Sequence, residues 1–123
     1  MTAQSCASED LVKQRAAWLF WYLPAAVLLA GVLVPPTLRA ALWTPALLVM
    51  GGACAVNAAR CGRLHCYLTA PLFLGAALLT LFNGVGALAV PWVWIGAGLI
   101  VGTAFAHIPE WLYGQYARGR SAS

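Results

Sequence analysis

Charge is the scarcest property of this 123-residue chain: Asp, Glu, Lys and Arg together make up 8% of it. A soluble domain builds its polar shell from roughly 25% charged residues, so an ordinary aqueous fold is hard to build from this chain. The acids are Glu9, Asp10 and Glu110, and none lies inside an apolar run. That absence argues against paired-carboxylate catalysis and against proton coupling through a glutamate held within a membrane helix. No phosphate loop and no set of nucleophile, base and orienting group is visible, so no enzymatic activity is expected.

Apolar residues fill the space that charge leaves. The chain is 63% hydrophobic, with a mean hydropathy of +0.82, and its length suits one domain. Lys13 and Arg15 precede an apolar run from Ala16 to Val34. That run exceeds the usual 7–15-residue core of a cleaved signal, so a retained helix is expected, with Trp18, Trp21 and Tyr22 as interfacial aromatics. Pro35 and Pro36 end it, because proline cannot continue a helical hydrogen-bond ladder. A second uncharged run follows Arg39. From Leu64 to Pro109 there is no charge over 46 residues. As one helix these would extend about 69 Å, more than twice a ~30 Å hydrocarbon core. Asn83-Gly84-Val85-Gly86 offers a turn near the middle.

The reading is an all-α integral membrane four-helix bundle of up-down topology. Its transmembrane domain covers 16–112, with spans over 16–34, 40–59, 67–82 and 87–108. Tails 1–15 and 113–123 flank it. Lys13, Arg15, Arg60, Arg63, Arg118 and Arg120 fall on one side and Arg39 alone on the other. The positive-inside rule then gives both termini to the cytoplasm of a bacterial inner membrane. The net charge of +4 is explained by topology, so the lipid bilayer and not nucleic acid is the expected partner. Gly98-x-x-x-Gly102-x-x-x-Ala106 forms a small-residue face suited to close helix packing, within the bundle, in a homodimer or against a larger membrane complex.

Polar groups in such a chain are default functional candidates. Cys54, Asn57 and Cys61 recur at i, i+3 and i+7, on one face of a helix that reaches residue 61. Gly62 suits a helix C-cap. Beyond it His65 and Cys66 open the next helix, with Cys61 and Cys66 in a basic, partly exposed loop. His107 and Glu110 belong at the same depth near the end of the fourth span. The expected metal ligands are therefore Cys54, Cys61, His65, Cys66 and His107. Thiolates and imidazoles suit soft or borderline ions such as Hg(II), Cu(I) and Zn(II). No resident cofactor beyond such an ion is expected.

In size, span number and thiol placement the chain resembles the small mercuric-ion transport proteins of bacterial mercury-resistance operons. The resemblance implies binding or transfer of a soft ion at the cytoplasmic membrane face. The cysteine pair which that family carries in its first span has no counterpart in 16–34. Two other readings stand beside it: a non-catalytic accessory or assembly subunit docked through Gly98 and Gly102, and a redox dithiol made by Cys61 and Cys66.

Overall fold

A computed structural model of the chain describes residues 18–114. All regular structure there is helical, forming four helices with a short terminal extension. Three segments, Pro36–Arg60, Leu64–Gly84 and Trp92–Tyr113, are long and apolar enough to cross a membrane. The expected tail 1–15, the start of the first expected span and most of the expected tail 113–123 lie outside the described residues.

Helix α1, Trp18–Gly31, opens with a π turn over Trp18–Tyr22 before regular α structure from Leu23. Pro24 supplies the reason: without an N–H it cannot bond the carbonyl four residues back, and the wider turn accommodates the gap. The far end of α1 is closed by a side chain from outside it. Arg39 donates from Nε to the Gly31 carbonyl at 2.9 Å and from Nη2 to those of Val32 and Val34 at 3.0 and 3.1 Å. A cation on the last carbonyls also opposes the negative end of the helix dipole.

Helix α2 runs Pro36–Cys61 and begins earlier than the expected 40. Pro36 stands in its first turn, where a missing N–H costs nothing. It ends at Gly62, whose φ of 67° is left-handed and whose N–H donates to the Ala58 carbonyl at 3.0 Å. Helix α3, Leu64–Gly84, follows after two residues and so already contains His65 and Cys66. With so short a link α2 and α3 are antiparallel neighbours. Their contacts climb one helix as they descend the other: Gly84 packs on Ala40, Thr80 bonds Thr44 at 2.9 Å, Gly51 packs on Leu74 and Thr69 meets Cys54. Gly51 has no room for a side chain, since an added Cβ would lie 2.8 Å from Leu74.

Helix α4 spans Trp92–Ala106 and the short α5 Ile108–Tyr113. The fourth helix begins five residues after the expected 87 because Asn83 holds the preceding loop. Its side-chain amide donates to the Val90 carbonyl and accepts the Val90 N–H, both at 2.9 Å, imitating a strand pair. Pro109, lacking an N–H, accounts for the break at His107. Gly102 packs against Leu72 of α3, and an added Cβ would sit 2.8 Å from it, whereas one on Gly98 would meet nothing within 4 Å. The core runs along the α2–α3 seam through Trp43, Leu47, Met50, Cys54, Cys66, Phe73 and Ala77.

Candidate metal centre

Two buried stripes converge beside the Gly62 bend. On α2, Leu47, Met50 and Cys54 follow helical spacing, and on α3 Cys66, Ala70, Phe73 and Ala77 do the same. The first turn of α3 therefore faces inward and brings its thiol to that of Cys54. The Sγ atoms of Cys54 and Cys66 and a ring nitrogen of His65 all lie within 4.8 Å of one another, and all three residues are buried. With metal–sulfur bonds of about 2.3 Å, two thiolates on opposite sides of an ion stand about 4.6 Å apart, and closer in a trigonal site. The donors thus have the spacing of an ion's ligand shell without backbone movement.

The imidazole is held from behind. His65 Nδ1 lies 2.6 Å from Glu110 Oε1, a distance that requires Nδ1 to carry the proton and donate it. Arg63 Nε is 3.2 Å from both Nδ1 and that same oxygen. Since Nδ1 already bears hydrogen, the carboxylate is the acceptor for Arg63. The His65 backbone N–H adds a third donor to Oε1, at 3.3 Å. The tautomer this fixes leaves a lone pair on Nε2, which accepts the Cys66 S–H at 3.5 Å. A carboxylate on one imidazole nitrogen with the other free to coordinate is the arrangement that orients metal-bound histidine.

Thr69, one turn beyond His65 and fully buried, sets the second thiol: its hydroxyl is 3.1 Å from Cys54 Sγ and 2.9 Å from the His65 carbonyl. Sequence reasoning passed over Thr69, although its i+4 spacing from His65 places the two on one face. Asn57, expected on the cysteine face of α2, is also buried.

The five expected ligands are therefore distributed as follows. Cys54, His65 and Cys66 come together. His107 stacks on His65, with centroids 4.5 Å apart and planes 13° from parallel, but its Nδ1–H donates to the Thr103 carbonyl at 2.8 Å, and it stands outside the three-donor group. The Cys61 side chain lies outside the described residues. One expectation is corrected: Cys66 is not in a partly exposed loop but fully buried in a helix, because α3 starts immediately after the bend.

Next to these donors is a cavity of about 260 Å³ whose wall includes Trp21, Met50, His65, Thr69, Phe73 and His107. Among the described residues, Trp21 Nε1 is the buried side-chain polar atom without a hydrogen-bond partner. Comparison of the chain with family models, with curated proteins and with solved structures gave no match in any of the three.

Proposed function

We propose that this chain is a membrane protein that binds a soft metal ion through Cys54, His65 and Cys66 and hands it on by thiolate exchange. One observation carries the reading: two thiols and a carboxylate-backed imidazole within 4.8 Å, sealed in the α2–α3 seam. Two sulfurs and a nitrogen favour Hg(II), Cu(I) or Zn(II) over hard cations, which select oxygen.

A bilayer setting is supported by the outward faces. Val93, Trp94, Ile100, Val101, Phe105, Trp111 and Leu112 are all exposed; apolar surface on that scale marks a face meant for lipid or a partner. The distribution of basic residues supports cytoplasmic termini and donors near the inner leaflet.

The test is a titration of the reduced, detergent-solubilised protein with Hg(II), Cu(I) and Zn(II), following sulfur-to-metal charge transfer or competition with a chelator. One ion per chain is expected, and Cys54→Ser/Cys66→Ser abolishes that site. Unchanged affinity in the double variant would dismiss the reading.

A further inference from the structure

At the end of the bundle away from the thiols, four helix ends meet around one cation. Arg39, in the first turn of α2, holds the last carbonyls of α1, and Gly84 at the end of α3 packs on the neighbouring Ala40. The Trp92 ring, at the start of α4, has its centroid 5.5 Å from the guanidinium carbon. Bonds to carbonyls solvate this charge but do not neutralise it. Glu110, the only acid among the described residues, is engaged with Arg63 and His65 at the opposite end. The clasp uses Nε and Nη2 alone. Nη1 has no partner among the described residues, and it is not one of the fully buried polar atoms left unbonded, so a ligand can reach it. Beside it the surface is hollow. A groove of about 440 Å³ has Arg39, Trp43 and Trp92 at one end and runs along α4 past Gly96 and Ala97 to Ile100, about 12 Å farther on. Gly96 leaves the room, since an added Cβ would meet only the edge of the Trp43 ring, at 3.9 Å. Beyond the two indoles the wall carries no polar side chain. The groove is therefore polarised, with charge at the level of the helix ends and an apolar floor toward the middle of the spans.

We propose that this groove seats one anionic phospholipid, in the leaflet farther from the thiols. A phosphodiester oxygen accepts from the Arg39 Nη1–H and neutralises the guanidinium, a pairing for which arginine is well suited. One acyl chain lies along Gly96, Ala97 and Ile100, and Trp43 and Trp92 stand where interfacial aromatics belong. The proposal rests on the bilayer setting argued above but not on the metal. Charge complementarity decides the occupant. A free phosphate would meet the cation but leave the apolar floor uncovered, and a zwitterionic lipid brings a cation of its own to the same place. A second copy of the chain in the same orientation would set another Arg39 at this level, where like charges repel.

The experiment places the full-length protein in phosphatidylcholine vesicles with a trace of phosphatidylglycerol or phosphatidylcholine that carries a photoactivatable diazirine near the top of one acyl chain. Adducts are mapped by mass spectrometry. On residues 93–100 the phosphatidylglycerol probe should label roughly fivefold more than the phosphatidylcholine probe, the scale of one basic residue at a charged membrane surface. Excess unlabelled phosphatidylglycerol should suppress that excess, and glycerol phosphate in the buffer should not. Arg39→Gln should bring the two probes to parity. Because that change also loosens the clasp on α1, Gly96→Leu and Ala97→Leu supply a second test. Each fills the groove, leaves Arg39 bonded, and should give parity with an unchanged unfolding midpoint. A preference that survives both fillers would overturn the proposal, by showing attraction to a surface charge without a docking site. Equal labelling by the two probes in wild type, or suppression by glycerol phosphate, would overturn it as well, and each of these results leaves the Cys54–His65–Cys66 site standing. Absence of adducts from every outward face of wild type would remove the bilayer setting, and this proposal with it.

Discussion

Glu110 ties three donors of the candidate site to one point. One carboxylate oxygen, Oε1, accepts from the His65 ring, the His65 backbone and the Arg63 guanidinium, so it fixes at once the tautomer, the ring angle and the start of α3. Glu110→Gln keeps an acceptor for Nδ1–H but removes the charge. Ion affinity should fall about 10–100-fold, the usual effect of losing an outer partner of a coordinating histidine, as read by chelator competition. Arg39 is the counterpart at the other end of the bundle. In the sequence it is the lone cation between the first two apolar runs; in the structure it clasps three carbonyls at the end of α1 and lies 5.5 Å from the Trp92 ring centroid. Arg39→Ala should cost about 1.5–3 kcal/mol, the range for hydrogen bonds to a charged group, measured by thermal unfolding in detergent. Glu110 was legible as lying at the depth of the donors but not as the acceptor that sets the His65 tautomer, and the bonds of Arg39 to carbonyls five to eight residues back carry no sequence signature.

Among the helices, the glycines separate internal packing from free surface. Gly102→Leu drives a side chain into Leu72 and should destabilise the α3–α4 contact by about 1–3 kcal/mol, as overpacking does. Gly98→Leu, where an added Cβ meets nothing within 4 Å, should leave the unfolding midpoint nearly unchanged. Equal effects from the two would show that the small-residue face is not divided in this way. The helices themselves were readable from the long uncharged runs and from Gly62, whose left-handed φ a C-cap requires. Their ends were less so. Pro36 reads as a stop but serves as a start, and the Asn83–Val90 clamp delays α4, since proline and asparagine each suit either side of a boundary. Cys54, His65 and Cys66 were legible as candidates from their spacing around Gly62. Thr69 was missed because a threonine within an apolar helix carries no ligand signature until its hydroxyl is seen against a sulfur.

For the molecule as a whole, an ion that binds only the folded state must raise its stability. At a free concentration one hundred times Kd the gain is about 2.7 kcal/mol, visible as a higher unfolding midpoint in detergent and absent from Cys54→Ser/Cys66→Ser. The paired thiols and their threonine all come from one helical hairpin closed by two residues, whereas the carboxylate that aims the imidazole arrives from α5, near the last of the described residues. The sulfurs can therefore meet by closure of that hairpin alone, whereas aiming the imidazole waits on the docking of α5. A chain cut short of α5 would own every donor atom yet grip its ion loosely, so that full affinity reports that the last described helix is docked.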